Sequence, residues 1–182
     1  WICIFAVAPE YRNKGIGTEL LNKSIAILKL HQVKRLYIGQ DYNNFFSGIP
    51  SPDSANVEYF RKRNFWINDC EHYDLEADVK TNEKMDAFDK CAFETDFAVN
   101  AFDGEENELY SSDKEYGGLG PIGISERIRG HHVGDYILLE SLMQLRKLGV
   151  RTVNIDWTIL KDFYGQFGFM PKRVYRGAYK DI

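Results

Sequence analysis

The sequence predicts an α/β chain with a mixed sheet, built from two related βαβ halves. Three observations predict it. Residues 5–39, FAVAPEYRNKGIGTELLNKSIAILKLHQVKRLYIG, read like residues 121–156, PIGISERIRGHHVGDYILLESLMQLRKLGVRTVNID. Arg12 precedes Val33 by 21 residues, and Arg129 precedes Val150 by the same 21. Each half also ends alike, with EYFRKRNF at 58–65 and DFYGQFGF at 162–169. Self-similarity at a fixed offset marks a repeated supersecondary unit.

Each half opens on a short apolar strand, followed by a polar turn with an arginine and a glycine-containing loop. A helix comes next. Aligned without a gap, Leu20, Leu21, Ile25 and Leu28 fall on Ile137, Leu138, Leu142 and Leu145, which gives both helices the same core-facing stripe. LYI at 36–38 then matches VNI at 153–155 as the second strand. The first half carries 13 extra residues within NNFFSGIPSPDSAN at 43–56, whose Pro, Gly and Ser content reads as a surface loop. A short helix and a final strand close each half, the strand of the first half covering 71–80. Residues 81–103 read as one or two amphipathic helices and 105–118 as an irregular strand and turn. The expected domains are therefore 1–80 and 81–182. The chain opens in mid-strand, so the first half is read as missing its N-terminal strands. Adjacent parallel strands with a right-handed crossover are expected in each βαβ unit.

A hydrophobic fraction of 44% and an aromatic fraction of 14% over 182 residues suffice for a packed core. The net charge of −4 offers no concentrated basic face for nucleic acid or an anionic membrane. No apolar run reaches the roughly 18 residues of a membrane helix, and the opening residues lack a signal-peptide pattern. Cys3, Cys70 and Cys91 are too few and too scattered for a disulfide framework. They are read as small buried hydrophobes in a reducing cytoplasm. No cluster of ligating side chains suggests a metal.

Arg12, Asn13, Lys14, Gly15, Ile16, Gly17 and Thr18 lie between a strand and a long helix. Helix N-termini leave backbone amides unpaired at the positive end of the dipole, so an anion can be held there. Glycines let backbone approach a phosphate, and Arg12 and Lys14 add charge. A flexible turn with an ordinary basic surface explains the composition equally well. A dinucleotide fingerprint fits worse, lacking its first glycine and the acidic residue after the next strand. Asp156, at the end of a strand where ligands meet parallel sheets, is a candidate base, with a capping or surface carboxylate as the alternative. His131 and His132 are weaker candidates for a base or a cofactor contact.

The chain resembles the GNAT superfamily of acetyl-CoA-dependent N-acetyltransferases, in its tandem-domain form. Residues 12–17, RNKGIG, match the family's pyrophosphate motif Arg/Gln-x-x-Gly-x-Gly/Ala in full, and FYGQFGF at 163–169 matches its aromatic pair followed by Gly-Phe. The resemblance implies acetyl-CoA as co-substrate and transfer of its acyl group to the amine of a small molecule or peptide. It implies that the strand before each loop lends its backbone to the pantetheine arm, through Phe5, Ala6 and Val7 and through Ile122, Gly123 and Ile124. It places the family tyrosine, which protonates the departing thiolate, on Tyr164. The second loop, Arg129, Gly130, His131, His132, Val133, Gly134 and Asp135, has His132 where the family has its first glycine. The first half has Phe60 at the tyrosine position and Asn64 at the glycine of Gly-Phe. These departures suggest a second possibility, a degenerate member that binds acyl-CoA or a protein partner without turnover. Exposed sheet edges make a homodimer a further expectation.

Overall fold

The computed structural model describes residues 1–40, 46–87, 115–120 and 122–182. The chain forms two compact units. One comprises Trp1–His72 with Arg173–Ile182, the other Tyr73–Lys172. Each has its own core.

In the first unit, α1 (Ile16–Leu30) follows a one-turn 3₁₀ helix at Pro9–Tyr11. The strand expected at Phe5–Val7 is reduced to one parallel bridge between Ile2 and Ile38. The Ile2 amide donates to the Tyr37 carbonyl, and the Gly39 amide donates to the Ile2 carbonyl. β1 (Arg35–Ile38) and β2 (Ile49–Pro50) both pair antiparallel with β6 (Met170–Asp181), placing Ala178 opposite Ile38 and Arg176 opposite Ile49. The C-terminal part of β6 thus lies between β1 and β3 (Trp66–Asp78). α2 (Ser54–Arg61) is capped by Asp53, whose carboxylate accepts from the Ala55 amide at 2.9 Å. Leu21, Leu36, Ile38, Val57, Phe60, Phe65 and Ala178 make the core.

Two expectations fail here. The stretch 43–56, read as a surface loop, is anchored where it is described. Ile49 is buried, and Gly48 approaches β6 so closely that a Cβ would stand 2.5 Å from the Arg176 carbonyl oxygen. Only glycine fits that contact, so its presence reflects packing more than flexibility. Leu20 does not join the core stripe: it is 44% exposed, whereas Leu21 is buried and Ile25 and Leu28 pack at the core margin. Positions 21, 25 and 28 share one helix face, and residue 20 is rotated about 100° away from 21.

In the second unit, β4 (Tyr116–Gly118) pairs parallel with β5 (Thr152–Thr158), and α4 (Val133–Lys147) lies in the connection between them. The parallel pair is the expected one, but its first strand is at 116–118 and not at the expected Ile122–Ile124. β5 pairs antiparallel with Tyr73–Asp78 of β3, so the sheet is mixed. The ladder continues to Leu119, whose amide donates to the Asn154 carbonyl at 2.9 Å, and stops there. Ile122–Ile124 therefore lie outside any strand. α3 (Glu83–Asp86) is capped by Asn82, whose amide nitrogen also donates to the Phe167 carbonyl at 2.6 Å. The rest of the helical stretch expected over 81–103 lies outside the described residues, as does most of 105–118. α5 (Lys161–Gly165) leads into β6. Leu138, Leu142, Leu145, Val153, Ile155 and Phe169 centre the core.

Cys3 and Cys70 are exposed, against the reading of buried hydrophobes, because both point away from the core; Cys91 lies outside the described residues. No described helix is long and apolar enough to cross a membrane.

Candidate functional site

The first loop begins where Ala8 leads into the turn Pro9–Tyr11. Arg12 then folds back, its Nε donating to the Val7 carbonyl at 3.0 Å. Asn13 at φ 60° and Gly15 at φ 80° are left-handed, and Gly15 is the N-cap of α1. No side chain caps the first turn of α1. A Cβ on Gly15 would meet no other atom within 4 Å, so the space where a side chain would stand is open. Alternating left-handed residues at a helix start turn successive amides toward one point, a concavity suited to an anion.

Gly17 serves a different purpose. A Cβ there would stand 3.2 Å from the Tyr59 hydroxyl and 3.5 Å from the Val7 side chain. Tyr59 comes from α2 and packs against Phe5 and Phe60, with ring centroids 5.8 and 5.1 Å away. Its hydroxyl is shut from solvent without a hydrogen-bond partner. The Arg63 guanidinium lies 3.6 Å from the Tyr59 ring centroid. It donates through Nη1 to the Tyr59 carbonyl at 2.7 Å and through Nη2 to Thr18 Oγ1 at 2.5 Å. Thr18 stands in the first turn of α1, so this contact brings a third cation to the loop beside Arg12 and Lys14. Sequence reasoning missed Tyr59 and Arg63. Tyr59 is displaced by one position from the family tyrosine, and Arg63 reaches the loop only through the fold.

The second loop repeats the backbone 117 residues later. A 3₁₀ turn at Glu126–Ile128 precedes Arg129, Gly130 is left-handed at φ 82°, and His132, at φ 59°, is the N-cap of α4. Gly134 packs as Gly17 does, its Cβ position 3.5 Å from Phe163 and 3.7 Å from Ile124. The side chains differ. His132 Nδ1 lies 2.8 Å from an Asp135 carboxylate oxygen, and Arg129 lies 3.8 Å from Glu126. His131 is exposed.

Of the residues expected to do chemistry, Tyr164 is 4% exposed and packed in the second core, its ring edge-on to Phe163 and Phe169 at 5.0 and 5.8 Å. Burial raises its pKa. Phe60 occupies the matching place in the first core. Asp156 sits at an irregularity in the pairing of β3 with β5, where Trp157 is left-handed at φ 47° and its amide donates to the Asp74 carboxylate at 3.3 Å. Bulges of this kind re-aim side chains beside functional sites. Asp156 keeps solvent access, yet loss of surrounding water and the neighbouring Asp74 charge raise its pKa. Asp74, itself 7% exposed, is a second carboxylate that the sequence did not single out.

Residues 1–47 match the acetyltransferase (GNAT) family. No curated protein matches the chain by sequence. Among solved structures, the chain is similar to the GCN5-related glucosamine N-acetyltransferase region of a fungal multi-domain GH3 beta-N-acetylglucosaminidase (20% identity, TM-score 0.73, 96% of this chain). It spans only 29% of that protein. It is also similar to a GCN5-related N-acetyltransferase from Sphaerobacter thermophilus (14% identity, TM-score 0.62, 96% of this chain and 70% of that one). A third likeness is to a tandem GNAT protein from the clavulanic acid biosynthesis pathway, solved without AcCoA (14% identity, TM-score 0.60, 97% of this chain and 73% of that one). The chain therefore carries the GNAT acetyltransferase family match over its first 47 residues, where the complete loop lies, and the fold of GNAT N-acetyltransferases.

Proposed function

We propose that the chain binds acetyl-CoA at the first loop and transfers its acyl group to an amine. The observation that carries this reading is the loop itself. Residues 12–17 match the family motif in full, and Gly15 opens the start of α1 with no side chain across it. The pyrophosphate would sit against the amides of Gly15, Ile16 and Gly17, with Arg12, Lys14 and Arg63 supplying charge. Acetyl-CoA supplies the activated acyl group. A neutral amine nitrogen forms the new amide bond as the thioester C–S bond breaks; the thiolate takes a proton and the amine loses one.

Two hydroxyls compete for the role of acid. Tyr164 is the family position, in the second unit. Tyr59 is the hydroxyl standing beside the complete loop, half-buried and unpaired. We assign the proton to Tyr59, because an acid must lie in the unit that holds the thioester, and Tyr164 is enclosed by aromatic rings in a core. Asp156, with its pKa raised, remains the candidate base of the second unit. The two halves are proposed to descend from one duplicated unit, on the strength of the shared loop conformations.

The acceptor to test first is an amino sugar, since one similar structure is a glucosamine N-acetyltransferase region, a likeness of fold at 20% identity. The test is thiol release from acetyl-CoA in the presence of glucosamine and a panel of primary amines. Turnover supports the enzyme. Saturable binding without turnover for any acceptor supports the second reading, a degenerate binder, which Phe60 and His132 favour.

A further inference from the structure

We infer that the second loop is closed to phosphate by its own side chains, so that the chain holds a single acyl-CoA, on the first loop. The inference rests on the acyl-CoA reading above and decides between two loops that the backbone leaves equivalent. Both loops follow a 3₁₀ turn, both carry paired left-handed residues, and both cap a 15-residue helix. Their amides are therefore presented alike, and backbone geometry cannot discriminate between them.

The side chains do. Thr18 and Asp135 stand at the same place in the first helical turn, 117 residues apart. Thr18 is neutral and accepts a hydrogen bond from the Arg63 guanidinium at 2.5 Å. Asp135 is a carboxylate, and it lies 2.8 Å from His132 Nδ1. The first turn of α1 also holds a carboxylate, Glu19, but it is one residue further along and is neutralised by Lys23 at 2.7 Å. The position beside the N-cap is thus neutral and cation-bound in one loop and a carboxylate in the other. A carboxylate in the first turn already complements the helix dipole, so an incoming phosphate gains less and is repelled. His132 adds an obstruction. It stands where the first loop has Gly15, and its imidazole is held 2.8 Å from the Asp135 carboxylate in the first turn, adding a side chain at a position that is bare in the first loop. Left-handed backbone is strained for histidine, so the ring's contact with Asp135 compensates for that strain locally. The position of Arg63 is taken in the second unit by Phe167, which is buried and uncharged.

The experiment is calorimetric titration of coenzyme A into four forms of the full chain. These are the unaltered protein, Gly15→Val, Thr18→Asp, and the double variant His132→Gly with Asp135→Thr. Circular dichroism and thermal melting confirm that each is folded. The unaltered protein is expected to bind one equivalent. Gly15→Val should lose it, and Thr18→Asp, which moves the carboxylate into the first loop, should weaken it by about tenfold or more. The double variant should bind two equivalents. Two equivalents in the unaltered protein, survival of binding in Gly15→Val, or no added site in a folded double variant overturns the inference. If the unaltered protein binds none, the acyl-CoA reading of the first loop fails. One equivalent in the double variant would then still support closure of the second loop by His132 and Asp135, and none would overturn it.

Discussion

Gly15 and Gly17 differ in why they are glycine, and substitution separates the two reasons. At Gly15 the space is open but φ is 80°, so Gly15→Ala should destabilise the chain through backbone strain alone, by about 1 kcal/mol. At Gly17 the backbone is helical and the conflict is with the Tyr59 hydroxyl at 3.2 Å. Gly17→Ala should therefore disturb Tyr59, and Tyr59→Phe in the same chain should relieve part of the effect; a thermal-melt double-mutant cycle reads the coupling. The acid assignment makes a second contrast. Tyr59→Phe should lower kcat by about a hundredfold with little change in KM, while Tyr164→Phe should leave the rate within about threefold. Asp156 carries a pH signature. Its folded pKa is raised, so the ionised form disfavours the fold above that pKa, and the penalty disappears as pH falls toward the unfolded value of 3.8. Asp156→Asn should raise the melting temperature at neutral pH and have no effect near pH 3. A midpoint that drops at neutral pH would count against this account. The motif residues were legible because their chemistry is local. Tyr59 and Arg63 were not, since each becomes part of the loop only when α2 packs beside α1.

Among the elements, α1 and α4 have the same length and the same spacing of apolar residues but unequal burial. Leu138, Leu142 and Leu145 of α4 are wholly enclosed, whereas Leu21 alone is buried in α1, and Ile27 and Leu30 are 56% and 83% exposed. Leu142→Ala should therefore cost about 3–4 kcal/mol in unfolding free energy, and Ile27→Ala less than about 1 kcal/mol, as denaturant midpoints would show. Periodicity identified both helices and the face of each. It could not rank them, because burial depends on what other elements lay against that face. The same limit explains the stretch 43–56. Its Gly, Pro and Ser were read as loop chemistry, yet Ile49 and Gly48 are held by contacts with residues more than a hundred positions later.

For the molecule as a whole, the decisive feature is where the last strand goes. Arg173–Ile182 belongs to the first unit, with β6 as the neighbour of both β1 and β3. A chain ending at Lys172 should therefore lose the cooperative folding of the first unit and, with it, coenzyme A binding at the first loop. Heteronuclear NMR spectra of the truncated and full chains would show whether the signals of residues 1–72 collapse. Two ion pairs add an acid limit to both units. Asp78 is held below the usual carboxylate range chiefly by a hydrogen bond from Arg151, and Asp181 by one from Arg35. Depressed carboxylates contribute stability above their unfolded pKa of 3.8 and lose it as pH falls through the lower folded values, so the melting temperature should fall below about pH 3.8, and less steeply in Asp78→Asn and Asp181→Asn. By itself the sequence determined the α/β class, the repeated loop–helix–strand order, the loop at residues 12–17 and the aromatic ends of each half. These follow from propensity, periodicity and spacing within a few turns of chain. Only the tertiary structure decided that the C-terminal strand completes the first unit, that Arg63 reaches Thr18, and that His132 turns onto Asp135. Strand partners and side-chain directions are chosen by long-range pairing and burial, which no local stretch of residues encodes.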